Sequence, residues 1–387
     1  MGATGLIPLV LGIMLILLNV FLLKKTFNIH IESVKYLSLD GLRGYLAVFV
    51  FIHHSCIWYF YLKTGQWQIP PSNLYTHLGH SSVSIFFMIT GFLFFRKLIE
   101  SYSINWIRFY IFRILRLVPV YLFSIFILIL ISFFVSGFII REPLIKLFKE
   151  IIIWSTFTIV GFDDINGVKG TTLIMAGVTW SLAYEWLFYF CLPFFSLIFL
   201  KFKTDKLVLL FSLIIILIII YYVSPLLIHI YSFLGGIVAA FINNSKKITS
   251  ILINKYWSII FFSLLVITIY FFSDTYNLLV IILLSTAFII VACGNTLFGF
   301  LIHPISRILG KLTYCIYLFH GIFLFITFKL IVGFERAKTF SANEHWLIIF
   351  AIAFPLILFS YLVHTFIETP FIKNSQNIYN KVNTIFS

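Results

Sequence analysis

The stretch that decides the fold is LRGYLAVFVFIHHSCIWYFYL, residues 42–62. Its length and apolar composition predict a helix that crosses the roughly 30 Å hydrocarbon core of a bilayer. Arg43 and His54 lie eleven positions apart, close to three helical turns, so both side chains share one face. His54 lies roughly 16 Å further along the helix axis than Arg43. Because ionisable groups inside a membrane are costly and usually functional, this face is the first candidate for chemistry.

The whole chain has the composition of a polytopic membrane protein. Hydrophobic residues make up 61% of its 387 positions and charged residues 10%, with a mean hydropathy of +1.09. A soluble domain would carry about 25% charged residues. The sequence therefore predicts an all-α integral membrane helical bundle with about eleven transmembrane helices. The eleven apolar runs are 4–23, 42–62, 78–95, 117–138, 172–199, 207–223, 226–242, 256–272, 276–294, 311–332 and 345–367.

Loop charges predict the orientation. If Lys24 faces the cytoplasm, most of the 27 Lys and Arg residues fall on the inner side. This bias predicts an outer N-terminus and a cytoplasmic C-terminus. The net charge of +14 is then topological, and we expect no nucleic-acid partner. The partly apolar segment 145–162 is expected to lie flat at the interface or to form a short helix in a loop.

Six blocks of sequence, in order, resemble one family. They are SLDGLRG at 38–44 with the Arg43-to-His54 spacing, VSIFFMITGF at 83–92, the segment 109–121, WSLAYE at 180–185, LGKLTYCIYLFH at 309–320 and IETP at 367–370. Together they are similar to the acyltransferase-3 family, membrane enzymes that O-acylate bacterial glycans and related acceptors. The resemblance implies a ten-helix core, with residues 1–35 as an added N-terminal anchor helix and 36–387 as the acyltransferase-like membrane domain.

The resemblance also implies the reaction. An acetyl group would move from cytoplasmic acetyl-CoA to a hydroxyl of a cell-surface glycan or lipid-linked saccharide, in the bacterial cytoplasmic (inner) membrane. A transporter, or a membrane protein that binds lipid or saccharide, is the alternative that the same buried polar residues allow. Transporters often contain inverted repeats, and the sequence shows none that is convincing. We expect no metal site, and the oligomeric state is left open.

His54 is the first candidate catalytic residue. Acyl transfer to a hydroxyl needs a base that takes the hydroxyl proton, and a neutral histidine is suited to this task. We favour His54 over His53, which is offset by about 80° from the face of Arg43. His320, in the fifth block, comes to a similar depth and is a further candidate, in either a chemical or a packing role.

Asp40 and Arg43 are candidates at the start of the same helix. Asp40 lies three residues before Arg43, the spacing at which helical side chains meet. Two interpretations remain. The residues form an interfacial ion pair, or Arg43 holds the phosphates of the donor while Asp40 orients it.

Arg113 and Arg116 lie within the third block, in a basic stretch predicted to face the cytoplasm. Guanidinium groups bind phosphate in bidentate geometry, so we expect these two to bind acetyl-CoA. The other basic residues of 96–116 follow from the positive-inside rule.

Glu185 ends the fourth block, in an apolar helix. Counted back from Lys201, it lies about 24 Å from the inner boundary, in the outer half of the membrane. There it is expected to position the acceptor or handle its proton, and the alternative is a structural hydrogen bond. Trp180 and Tyr184 of the same block are further candidates.

Overall fold

The computed structural model describes residues 2–29, 35–101, 103–200 and 204–386, and within these ranges the chain is helical without strands. The α-helices are α1 Leu6–Phe27, α2 Leu37–Thr64, α3 Asn73–Glu100, α4 Trp106–Val135, α5 Leu144–Ser155, α6 Trp180–Leu200, α7 Lys206–Val223, α8 Leu227–Asn243, α9 Lys246–Leu252, α10 Tyr256–Phe271, α11 Leu278–Ala292, α12 Pro304–Phe325, α13 Phe334–Thr339, α14 Ala342–Val363 and α15 Thr369–Phe386. Single 3-10 turns occupy Ile165–Gly167, Thr171–Met175 and Phe300–Ile302, and π-helical turns occupy Ile326–Ile331 and His364–Glu368.

Each of the eleven predicted apolar runs falls on one of these helices, which confirms an all-α polytopic membrane bundle. Among the described residues, 8 helices are long and apolar enough to cross a membrane, or 9 if α8 and α9, which meet at 107°, form one span. Helices α10 and α11 are apolar but have only 16 and 15 residues. The run 172–199 becomes α-helical only at Trp180. The segment 145–162 contains the short helix α5.

The chain divides into two compact units that interleave along the sequence. The first unit contains Met1–Arg96 and Leu226–Leu358, and the second contains Lys97–Pro225 and Phe359–Ser387. Helix α1 belongs to the same unit as α2 and α3, and the division expected after residue 35 stays a prediction.

Helix α1 is tied to the first unit by hydrogen bonds at its N-terminal end. The Tyr75 hydroxyl donates to the carbonyl oxygen of Gly5 at 2.9 Å. The Trp346 indole nitrogen donates to the carbonyl oxygen of Ala3 at 3.1 Å. Both bonds hold the chain that leads into α1 against α3 and α14.

Helices α2 and α12 pack closely in the first unit because glycines line their contact. A Cβ atom built on Gly44 would lie 2.7 Å from the backbone nitrogen of Gly310, and one built on Gly310 would overlap the carbonyl group of Asp40. Small residues allow transmembrane backbones to approach in this way. Since α2 carries His54 and α12 carries His320, this crossing sets the distance between the two histidines.

We expect Gly310→Ala to lower the free energy of unfolding by about 1 to 3 kcal/mol, because overpacking forces the two backbones apart. Thermal unfolding of the detergent-solubilised protein measures the loss. The matched control is Gly12→Ala in α1, where the new Cβ would lie 3.6 Å from the Ile52 side chain, an ordinary contact. Equal unfolding temperatures for the two variants would contradict this account of the crossing.

The second unit is organised around α4. Asn105 caps this helix, since its side-chain oxygen accepts a hydrogen bond from the backbone nitrogen of Arg108 at 2.8 Å. The Tyr110 hydroxyl lies 3.1 Å from the Ser212 hydroxyl of α7. Helix α6 packs against α7 and α15 packs against α4. These contacts position the charged first half of α4 beside α6.

Candidate functional site

His54 of α2 and His320 of α12 are in direct contact in the first unit. Nδ1 of His54 lies 3.0 Å from Nε2 of His320, and the ring centroids are 5.0 Å apart. His320 is fully buried, whereas His54 is half-buried. The structure therefore brings together two histidines that the sequence placed at similar depths.

Backbone carbonyls determine which nitrogens carry protons in this pair. Nδ1 of His320 lies 3.1 Å from the carbonyl oxygen of Ile316, which can only accept, so Nδ1 is the donor. In a neutral ring, Nε2 of His320 is then an acceptor. Nδ1 of His54 must therefore donate, and it also lies 3.1 Å from the carbonyl oxygen of Val50. The neutral His54 ring thus has a free lone pair on Nε2, the atom available as a base.

His53 has a different environment from its neighbour. Its Nδ1 donates to the carbonyl oxygen of Tyr75 at 2.7 Å, and the side chain is buried. A Cβ atom built on Gly79 of α3 would overlap the imidazole ring. His53 therefore packs between α2 and α3, on a different face from His54.

An aromatic cluster, formed by Trp58, Tyr61 and Trp67, lies beside His54. Trp67, in the loop between α2 and α3, is nearly parallel to the His54 ring, with centroids 6.3 Å apart and planes at 14°. Trp58 and Tyr61 meet Trp67 edge-on, at centroid distances of 5.7 and 5.5 Å. Trp58 is fully buried, whereas Tyr61 and Trp67 are half-buried. The cluster shields one side of the imidazole while part of it stays accessible.

Asp40 and Arg43 lie in the first two turns of α2, and both are half-buried. Helix α2 is unbroken from Leu37 to Thr64, so Arg43 and His54 share the face that their spacing predicts. The two interpretations of Asp40, an ion pair or an orienting group, both stay predictions.

In the second unit, Glu185 belongs to a charged cluster. It accepts a hydrogen bond from the hydroxyl group of Tyr189, one turn further along α6. Arg113 of α4 is hydrogen-bonded to the same tyrosine and lies near Glu185 and Arg116. We call Arg113, Arg116, Glu185 and Tyr189 the charged cluster. Both arginines and the glutamate are half-buried, while Tyr189 is buried.

Further positive charge surrounds this cluster. Lys97 interacts electrostatically with both Arg113 and Arg108. Lys97 and Arg108 therefore add to the positive charge near Arg113, which also interacts with the carboxylate of Glu185. The excess of positive charge favours a ligand that carries phosphate groups.

Arg113 and Glu185 contact the same tyrosine, although the sequence predicts different depths for them. The sequence placed Arg113 at the inner face and Glu185 in the outer half, whereas the structure joins both to Tyr189. The count from Lys201, which lies outside the described residues, located only the helix backbone. The side chain of Tyr189 spans the turn that separates it from Glu185, and the long Arg113 side chain reaches the same hydroxyl. The two residues therefore belong to one cluster, and their depths in the membrane stay predictions.

Trp180 and Tyr184 stand near the beginning of α6. Their rings meet edge-on with centroids 5.6 Å apart. Tyr184 is buried and Trp180 is half-buried. Both lie on the same helix as Glu185, and their functional roles stay predictions.

Two residues at these sites were given no functional role from the sequence, although Tyr189 accompanies the fourth block of the family resemblance. Tyr189 lies one turn after Glu185, the spacing at which helical side chains meet, and this could have singled it out. Trp67 lies in an irregular loop, where no periodicity predicts which way a side chain points. All four cysteines carry free thiols, and the described part of the chain contains no group of three or more metal-ligating side chains.

The sequence profile described as an acyltransferase domain, Acyl_transf_3, matches residues 36–365, which include every candidate residue named above. No curated protein and no solved structure matches the chain.

Proposed function

The chain belongs to the acyltransferase-3 family and is a membrane acyltransferase, and on this premise we propose that it moves an acetyl group from acetyl-CoA to a glycan hydroxyl. The acceptor is a cell-surface glycan or a lipid-linked saccharide. The observation that carries the proposal is the His54–His320 pair, which leaves Nε2 of a half-buried imidazole free to act as a base.

In the proposed reaction, His54 carries one proton from the acceptor hydroxyl to the leaving thiolate. Nε2 of His54 takes the proton of the acceptor hydroxyl as its oxygen attacks the thioester carbonyl. The C–S bond then breaks, and the proton passes from His54 to the leaving thiolate of coenzyme A. His320 accepts a hydrogen bond from Nδ1 of His54 throughout, so it keeps the tautomer and the ring orientation that catalysis requires.

The remaining candidate residues divide between the two substrates. The candidate residues for the phosphates of acetyl-CoA are Arg43 in the first unit and, in the second unit, Arg113 and Arg116, which the positive charge near Arg113 supports. Asp40 orients Arg43 from the preceding turn of α2. Glu185 positions the acceptor or handles its proton.

We further propose that the protein lies in the bacterial cytoplasmic membrane with its N-terminus outside and its C-terminus in the cytoplasm. The loop charges support this orientation. Acetyl-CoA would then enter from the cytoplasmic face. The acceptor would enter from the opposite face, where α2 ends and α3 begins.

We expect acetyl transfer across a sealed membrane. In proteoliposomes of known orientation, acetyl-CoA on the cytoplasmic face alone should acetylate glycan isolated from a strain lacking the protein and supplied on the other face alone. Mass spectrometry of the glycan measures the product. Vesicles that contain His54→Ala should form none.

The control is the same preparation after permeabilisation with detergent, which gives both substrates access to both faces. Product in permeabilised vesicles but not in sealed ones would contradict transfer across the membrane. Transport of intact acetyl-CoA into the vesicle lumen would instead support the transporter alternative.

A further inference from the structure

We propose that the aromatic cluster is the acceptor subsite, where a sugar ring stacks on Trp67 and presents its hydroxyl group to Nε2 of His54. This inference rests on the proposed function, because it names the part of the protein that binds the glycan. The inference also restricts the class of acceptor to ring-form sugars. A pyranose has apolar C–H faces that pack against an indole ring, whereas an acyclic alcohol has none.

The position of Trp67 is the first argument. Its ring lies alongside His54 at a centroid distance of 6.3 Å and at 14° to the imidazole plane. It is half-buried, so a ligand can reach part of it without displacing the protein core. A sugar bound against Trp67 therefore lies beside the base rather than elsewhere in the unit.

An unsatisfied donor is the second argument. The indole nitrogen of Trp58 is buried and has no hydrogen-bond partner within the described part of the chain. An unpaired buried donor typically costs about 1 to 3 kcal/mol. The ring centroids of Trp58 and Trp67 are 5.7 Å apart. A hydroxyl group of a ligand that enters the cluster would supply the missing acceptor.

The surroundings of the cluster are polar and held in place. Gln66 and Gln68, exposed on either side of Trp67, are joined by a side-chain hydrogen bond of 2.8 Å. The Lys63 ammonium group donates to the carbonyl oxygen of Phe340 at 2.7 Å. The hydrogen bond of Lys63 holds the end of α2, where the loop that carries Trp67 begins. The side-chain amides of Gln66 and Gln68 can form hydrogen bonds with sugar hydroxyls.

A π-helical turn completes the site. Ile326–Ile331 follows α12, and such turns occur frequently at functional sites. It places the Phe328 ring 5.7 Å from Trp58. It also places the Lys329 ammonium group 5.4 Å from the centroid of the Tyr61 ring. Trp58 and Tyr61 are thus contacted by the turn that directly follows α12, the helix that carries His320.

The test is titration of detergent-solubilised protein with the isolated glycan in the absence of acetyl-CoA, followed by transfer kinetics. We expect Trp67→Ala to weaken glycan binding by about 10- to 100-fold, the range of one aromatic stacking contact. Trp67→Phe should restore most of the affinity. The affinity for a non-hydrolysable acetyl-CoA analogue should stay at the parent value in both variants.

The matched control is Trp257→Ala, which removes a half-buried tryptophan of the same unit in α10, outside the cluster. It should leave glycan binding unchanged. If Trp67→Ala binds glycan as the parent does, or lowers only the turnover number, the subsite assignment is wrong and Trp67 merely packs on His54. A parent protein that binds glycan through Trp67 but transfers no acetyl group would refute the proposed reaction while this subsite stands. A parent that binds no glycan would refute both.

Discussion

Replacing His54 with alanine is expected to lower the rate of acetyl transfer by about 100- to 10,000-fold, the usual effect of removing a general base. The physical reason is that Nε2 of His54 is the free nitrogen of the His54–His320 pair. The measurement is the turnover number with saturating acetyl-CoA and glycan. Expression and thermal unfolding should stay near the parent values, because the side chain is only half-buried and its loss leaves the crossing glycines intact.

His53→Ala is the natural comparison, since the two histidines are adjacent in sequence but face different helices. Its hydrogen bond to the Tyr75 carbonyl and its packing on Gly79 predict a loss of stability, with a smaller effect on turnover. A His54→Ala protein that retains more than about a tenth of the parent rate could not have lost its base. Another residue would then have to be the general base.

Replacing Arg113 with alanine is expected to weaken the binding of a coenzyme A analogue by about 1.5 to 3 kcal/mol, the free energy of a charged hydrogen bond to phosphate. This corresponds to roughly 10- to 150-fold in the dissociation constant. Titration calorimetry on the detergent-solubilised protein measures it. Arg116→Ala should behave similarly.

Glu185 provides the control for this experiment, because Arg113 could instead be present only to neutralise that carboxylate. If so, Glu185→Gln would remove the need for Arg113, and the double variant would bind the analogue as tightly as the parent. We expect no such rescue, since Arg113 also lies near Arg116 and Lys97, so neutralising one carboxylate does not account for the positive charge in this region. Arg108→Ala should have little effect, because its guanidinium group already donates to Gln376 at 2.7 Å.

The lengths of the apolar runs predicted the helices. The rotation of about 100° per helical residue predicted that His53 and His54 lie on different faces. Periodicity works at these positions because a transmembrane helix is regular and every backbone group must be bonded within it. The similar predicted depths of His54 and His320 indicated that the two residues could be neighbours. The hydrogen bond between them depends on how α2 and α12 cross. That crossing depends on glycines, whose significance becomes visible only when the second helix is in place.

Side-chain reach and irregular backbone account for what could not be predicted. Arg113 and Glu185 both hydrogen-bond to Tyr189 from different helices, so counting residues along each helix axis could not show that they share a partner. Trp67 follows Gly65, which ends α2 in the left-handed conformation with φ of 73°. The direction of the chain after such a residue depends on tertiary contacts, so the aromatic cluster had no signal in the sequence.

The interleaving of the two units has a consequence for how the protein is made. His54 and His320 are separated by 266 residues, so at about 5 to 20 residues per second the ribosome needs roughly 13 to 53 s to pass from one to the other. Throughout that time α2 must remain in the bilayer with its glycine face uncovered. Nascent chains of this protein therefore pass through a long interval in which membrane quality control can recognise α2, and slow translation between the units would extend it.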